Sequence, residues 1–199
     1  MRLSSWKYWS LGLAMVSLVG LGSAGAQSLA GVTTKLDRTL ESKSASVGEP
    51  VTARLTGSVK ADGLNLPKGT ELVGKVAEVK AAQNGTPASV SLVFTTAKLK
   101  NGKEVPVKAT VIAAYPESSA GGLEGSGETI SAAPQQVPSD GVYDQEPGSL
   151  SHVGMKSAVK NSDSVTFSSS DNFKLPAGTF LQLGVGAAGS SASGAAAAE

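Results

Sequence analysis

A chain of 199 residues suits one domain with appendages, and with 5% aromatic residues its core has to be built from Val, Leu and Ala. A formal charge of +1 gives no clustered basic face of the kind a nucleic-acid binder needs. The absence of cysteine excludes disulfides, Cys-ligated zinc and a lipid-modified N-terminal Cys.

Met1–Ala26 reads as a secretory signal peptide. Arg2 and Lys7 form its positive region, Trp9–Leu21 its uncharged apolar region, and Ala24-Gly25-Ala26 a small-residue cleavage site that makes Gln27 the mature start. Cleavage removes Arg2 and Lys7 and takes the net charge from +1 to −1. The competing reading is an uncleaved anchor, because Tyr8–Ala26 is uncharged and near the length of a span, although Gly12, Gly20, Gly22 and Gly25 dilute it. The expectation is export by the Sec route to the periplasm or medium, with outer-membrane association left open. No transmembrane helix is expected after cleavage.

Gln27–Tyr115 is expected to be the main antiparallel β region. Val32–Leu40 has strand character, and Glu41–Ser46 reads as a loop. From Val47 the alternation is clean: Val47, Val51, Ala53, Leu55, Gly57 and Val59 on one face, Thr52, Arg54, Thr56, Ser58 and Lys60 on the other. Asp62-Gly63 supplies a hairpin turn, Leu64–Leu66 a short extended piece, and Pro67-Lys68-Gly69 another turn. Strands follow over Thr70–Ala82, Val90–Leu99 and Val105–Tyr115, joined by Gln83–Pro87 and by the Asn101-Gly102 hairpin. In the last strand the odd residues Val105, Val107, Ala109, Val111, Ala113 and Tyr115 are expected to face the core. Asn84-Gly85-Thr86 matches a glycosylation sequon and reads more simply as an Asn-Gly turn.

Pro116–Ser151 is rich in Gly, Ser, Pro, Glu and Gln and is expected to be a disordered or functional loop. His152–Val185 returns to strands, at Ser164–Phe167 and Asn172–Val185, which complete the domain. Leu175-Pro176-Ala177-Gly178-Thr179 echoes Leu66-Pro67-Lys68-Gly69-Thr70. Either the second copy is a duplicated turn that closes a barrel against an early strand, or the pentapeptide is simply a good turn before a strand. Gly186–Glu199 reads as a flexible tail. The fold class expected is all-β, a small antiparallel barrel or sandwich.

The run Val51–Val59, then Leu66–Gly74, then Val90–Phe94, then Leu99–Val107 resembles the C-terminal β-barrel of TrbI-type proteins, envelope-spanning core components of conjugative type IV secretion systems. The resemblance covers roughly Val47–Val111 and implies a barrel, a scaffolding role and no catalytic residues. The family has a membrane helix and a long Pro-rich spacer before the barrel, where this chain goes almost directly into β structure. It also carries a helical hairpin, where Pro116–Ser151 is rich in Gly and Pro.

The sequence assigns no catalytic, cofactor-binding or metal residues. His152 is the single histidine, so a triad would have to use it and a zinc site has no second His or Cys. Asp140, Gly141, Asp144 and Glu146 lack the alternating ligands of a calcium loop. Glu71, Glu78 and Glu104 read as solvated strand charges rather than an acid–base pair. Gly121-Gly122 and Gly125-x-Gly127 follow no strand-to-helix pattern that would make a phosphate loop. Lys98, Lys100, Lys103 and Lys108 cluster around a hairpin, where they either touch an anionic envelope polymer or lipid or protect an exposed edge. The expectation is a non-enzymatic envelope protein that binds or scaffolds an envelope partner, or a second copy of itself, through exposed strand edges. A free secreted or periplasmic ligand-binding β domain is the alternative.

Overall fold

The structure, a computed structural model, describes residues 29–61, 63–117, 133–134, 136–138, 141–150, 152–158 and 163–188. The expected signal peptide, most of the expected tail and the middle of Pro116–Ser151 lie outside these residues. The all-β expectation holds, as a closed six-stranded antiparallel barrel. No helix among the described residues is long and apolar enough to cross a membrane.

The barrel is formed by β1 (Leu29–Leu36), β3 (Pro50–Leu55), β6 (Glu71–Lys80), β7 (Ala88–Lys98), β8 (Glu104–Tyr115) and β14 (Phe180–Ala187). The ring order is β1-β3-β6-β7-β8-β14, and β14 pairs back onto β1. Two miniature sheets close its ends. One is β4 (Val59–Ala61) with β5 (Leu64–Leu66), the other β2 (Leu40–Glu41) with β13 (Lys174–Leu175). Val59, Leu66, Leu40 and Leu175 are all buried in the core. The interior is filled by Val32, Leu36, Ala53, Leu55, Leu72, Val76, Phe94, Val111, Leu181 and Leu183, so this is a packed core and not a pore.

The pentapeptide echo is structural. β1 and β3 cross antiparallel with Lys35 opposite Arg54, and a local two-fold relates one to the other. Gly69 N donates to Leu55 O at 2.9 Å, as Gly178 N does to Leu36 O at 2.8 Å. Leu55 N donates to Thr70 O and Leu36 N to Thr179 O, both at 2.9 Å. Thr70 Oγ1 and Thr179 Oγ1 each donate back to their turn's proline carbonyl at 2.8 Å. Gly69 and Gly178 take φ of 84° and 90°, a left-handed conformation in which a Cβ would be strained. Of the two readings of the echo, the duplicated turn that closes the barrel is the one observed.

The equivalence extends to the bulges. Register shifts fall between Val73 and Gly74 in the β6–β7 pair and between Gln182 and Leu183 in the β14–β8 pair, leaving Thr95 and Ile112 as the extra residues. Each bulge turns its strand over. Val107, Ala109 and Val111 face the core, but beyond Ile112 it is Ala114 that is fully buried while Ala113 and Tyr115 are half-buried. The expected odd face of this strand is therefore corrected at its C-terminal end, because one inserted residue reverses a period-two pattern.

The seam between β7 and β8 breaks the symmetry. Phe94–Lys98 pairs with Glu104–Ala109, but Ala88–Val93 pairs with β12 (Ser164–Ser169) instead of with the far half of β8. β12 leads to β11 (Val153–Ala158) and β11 to β10 (Val142–Leu150), which form a wedge in the open half of the seam. Gln145 serves there as a surrogate strand: its amide donates to Ala114 O and accepts from Ala114 N, both at 2.9 Å. Ser157 Oγ donates to Val111 O on the same edge.

Pro116–Ser151 is therefore not structureless throughout. Besides β10 it contributes β9 (Gln136–Val137), which pairs with Leu29–Ala30. Val137 packs with Leu29 and Ile112 in a small second core outside the barrel, and a Cβ on Gly184 would press on it. β14 runs to Ala187, so the first residues of the expected tail are strand.

Candidate functional site

Closure decides which strand edges stay open. Each of the six ring strands is paired on both sides over much of its length, so the sheet's outermost strand is β10. That edge carries Asp144, Glu146 and Pro147 with a register break between Gln145 and Leu150, features that discourage strand addition. What the closed ring leaves uncovered is chiefly its outer face and its two ends.

At one end, β3 exits, β6 begins and the β7–β8 hairpin turns. Lys60 lies on the β4–β5 plug, opposite Asn65, and Lys68 follows directly after it. The Lys100 side chain lies against Gly69, its Cε 2.8 Å from where a Cβ would stand. Lys103 follows in the same hairpin, its N–H held by Asn101 Oδ1 at 3.0 Å. Lys60, Lys68, Lys100 and Lys103 are exposed, and none of them forms an ion pair among the described residues.

Around the other end the cations are largely spoken for. Lys35 pairs with Glu117, and its Nζ sits 5.8 Å from the centre of the Phe180 ring. Arg38 pairs with Glu49 at 2.6 Å, Lys80 with Glu78 at 2.8 Å and Lys174 with Glu41 at 2.7 Å, and Lys43 has no ion pair among the described residues. Arg54, near the two-fold, bridges Asp37 at 3.5 Å and Glu71 at 2.7 Å.

The residues singled out in the sequence are thus regrouped. Lys98, Lys100 and Lys103 stay together at the hairpin, with Lys98 opposite both Glu71 and Glu104. Lys108 leaves the group and pairs with Asp163 at 3.2 Å. Lys68 joins it, because the Leu66–Thr70 turn lies against the Lys100 side chain at Gly69, and Lys60 stands on the β4–β5 plug of the same end, where β4 packs on β1 and β14. Glu78 lies toward the opposite end of β6 from Glu71, so the three glutamates share no cleft. Asn84 and Gly85 form a tight turn at φ of 48° and 79°.

His152 is exposed in the β10–β11 turn. It lines an open cleft of about 410 Å³ with Pro87, Pro147, Ser168, Ser169 and Ser170. Ser170 Oγ donates to Asp171 at 3.2 Å. Asp144 faces Lys156 at 3.8 Å, and Asp140 lies outside the described residues. Among the described residues no three His, Asp or Glu side chains converge to hold a metal ion.

No protein-family model matches this chain, and no curated protein sequence matches it. Among solved structures, the chain is similar to ComB10 of the Com type IV secretion system of Helicobacter pylori, at 8% identity and a TM-score of 0.39. That likeness covers 79% of this chain and 85% of ComB10.

Proposed function

We propose that this chain is an exported, non-enzymatic protein of a bacterial envelope, whose barrel binds or scaffolds through its outer surface. The observation that carries the reading is the filled barrel. Its interior is occupied by its own side chains, and each mouth is plugged by a miniature sheet. A small ligand has no room inside, which weighs against the alternative of a ligand-binding barrel. The secretory pattern of Met1–Ala26 supports export.

The finer reading, kinship with TrbI-type secretion-core components, rests on sequence motifs. Val51–Val59, Leu66–Gly74, Val90–Phe94 and Leu99–Val107 supply segments of β3, β6, β7 and β8 in order, with the plug and turn between them. A scaffold role suits such a body, with rigid strands inside and charged hairpin tips outside.

The test is fractionation of cells expressing the full gene with a C-terminal tag, followed by crosslinked pull-down and intact mass. The expected result is an envelope fraction, a mass beginning at Gln27 and recovered envelope proteins or higher multimers. A cytosolic species with Met1 intact and no partner overturns the reading.

A further inference from the structure

We propose that the lysine end of the barrel is a docking face for an anionic membrane surface. This deepens the envelope reading and depends on it for location, but not for its chemistry. Three structural tips form this end: the β4–β5 plug, the Leu66–Thr70 turn and the β7–β8 hairpin. They bring Lys60, Lys68, Lys100 and Lys103 to one end of the barrel, with the Lys100 side chain lying against Gly69, the residue after Lys68.

Four exposed ammonium groups without carboxylate partners among the described residues favour an external anion. Elsewhere several cations are neutralised internally, as at Lys80 with Glu78 and Lys174 with Glu41, and Lys43 and Lys75, unpaired among the described residues, stand singly in the chain rather than in a group. Lysine presents a mobile point charge rather than the planar fork of arginine, which suits a layer of phosphate headgroups more than one stereospecific anion. The exposed large apolar side chains among the described residues are Val47 and Val142, and neither lies on these tips. Contact is therefore by charge, without insertion. No aromatic residue accompanies the lysines along Lys98–Glu104 or Lys60–Thr70, so the stacking platform of a single-stranded nucleic-acid site is missing from these segments. Each lysine near an anionic leaflet contributes roughly a fivefold gain in partitioning, falling with salt.

The protein isolated from expressing cells is sedimented with vesicles of phosphatidylcholine alone and with vesicles containing phosphatidylglycerol. The anionic preference, which cancels any contribution of Met1–Ala26 common to both, is the readout. Two quadruple variants remove the same net charge: Lys60→Gln, Lys68→Gln, Lys100→Gln and Lys103→Gln in one, and Lys43→Gln, Lys80→Gln, Lys156→Gln and Lys174→Gln in the other. The first is expected to lose about a hundredfold or more of the preference, the second less than about fivefold. Lys68→Gln and Lys100→Gln alone are each expected to lose roughly fivefold, which keeps the test open should a quadruple variant fail to fold. Equal losses in the two quadruple variants, or no anionic preference in the parent, overturn the proposal. Binding to soluble polyphosphate without binding to vesicles also overturns it, in favour of a polymer ligand. Failure here with correct export leaves the envelope reading standing, and cytosolic retention with intact vesicle binding does the reverse.

Discussion

The Leu66–Thr70 and Leu175–Thr179 turns have the same backbone, the same threonine hydroxyl bond and the same left-handed glycine. The two ends of the barrel that they help close are nevertheless different. At the lysine end the β7–β8 seam is zipped, with Phe94 opposite Ala109 and Lys98 opposite Glu104. At the other end the seam is open and the β10–β12 wedge fills it, held by side chains where a strand would otherwise bond. The comparison teaches that a repeated backbone unit can hold the core while its exposed residues and seams diverge. The conserved part of the geometry is buried polar bonding and apolar packing; the divergent part is surface charge, where substitution costs little.

The packing of the two halves is complementary rather than identical. Phe94 and Gly74 in one half correspond to Val111 and Leu183 in the other. A Cβ on Gly74 would stand 2.7 Å from the Phe94 ring, so the large residue exists because its neighbour is bare. Phe94→Ala is expected to cost about 3–5 kcal/mol, the largest single effect, since Phe94 is fully buried in the core and the neighbouring Gly74 has no side chain to fill the space. Equilibrium urea unfolding measures it, and a cost below about 1 kcal/mol would break the proposed pairing of large with small.

Gln145→Ala probes the wedge. It strips Ala114 of partners for both its N–H and its C=O, with an expected loss of about 2–3 kcal/mol. The β7–β8 pairing at the lysine end is expected to keep its exchange protection in this variant, which separates the two halves of the seam.

Thr70→Val and Thr179→Val sharpen the comparison directly. Each removes one buried hydroxyl bond to a proline carbonyl, for about 1–2 kcal/mol. The two losses are expected to agree closely and to add in the double variant, because the turns cap opposite ends. A large difference between them would show that the echo is one of sequence and not of energetics.

Thr110→Val has the smallest effect and the opposite sign. Thr110 is fully buried, and its Oγ1 has no hydrogen-bond partner among the described residues; its counterpart on β7 is Val93. The isosteric change is expected to stabilise by about 1 kcal/mol, read as a higher urea midpoint.

Much of the barrel was legible in the sequence. Alternation located β3, β7 and most of β8, and Asp62-Gly63, Asn84-Gly85 and Asn101-Gly102 marked the turns between strands. The Leu-Pro-x-Gly-Thr echo pointed to closure against an early strand. The wedge was not legible. β10 contains Asp144, Glu146, Pro147 and Gly148, whose composition reads as a linker, and its strand identity depends on β11 and on the edge of β8. The Gln145 bridge leaves no local signal, because any exposed glutamine looks the same in sequence. The reversal at Ile112 is invisible for a related reason: a bulge is one residue, and alternation on either side of it looks continuous. At the candidate site, Lys98, Lys100 and Lys103 were legible as a cluster, whereas Lys68 joined them through the Leu66–Thr70 turn, Lys60 stood on the plug of the same end, and Lys108 departed to Asp163.

Amide hydrogen exchange followed by NMR tests the central claim, that two equivalent turns close one ring, without altering the chain. Gly69 and Gly178 each donate an N–H to the last residue of a neighbouring strand, at 2.9 Å and 2.8 Å. Both amides are expected to exchange slowly, with similar protection, alongside those of Leu36 and Leu55. Fast exchange at Gly178 and Leu36 beside slow exchange at Gly69 and Leu55 would mean that β14 does not close the ring, and would contradict the account.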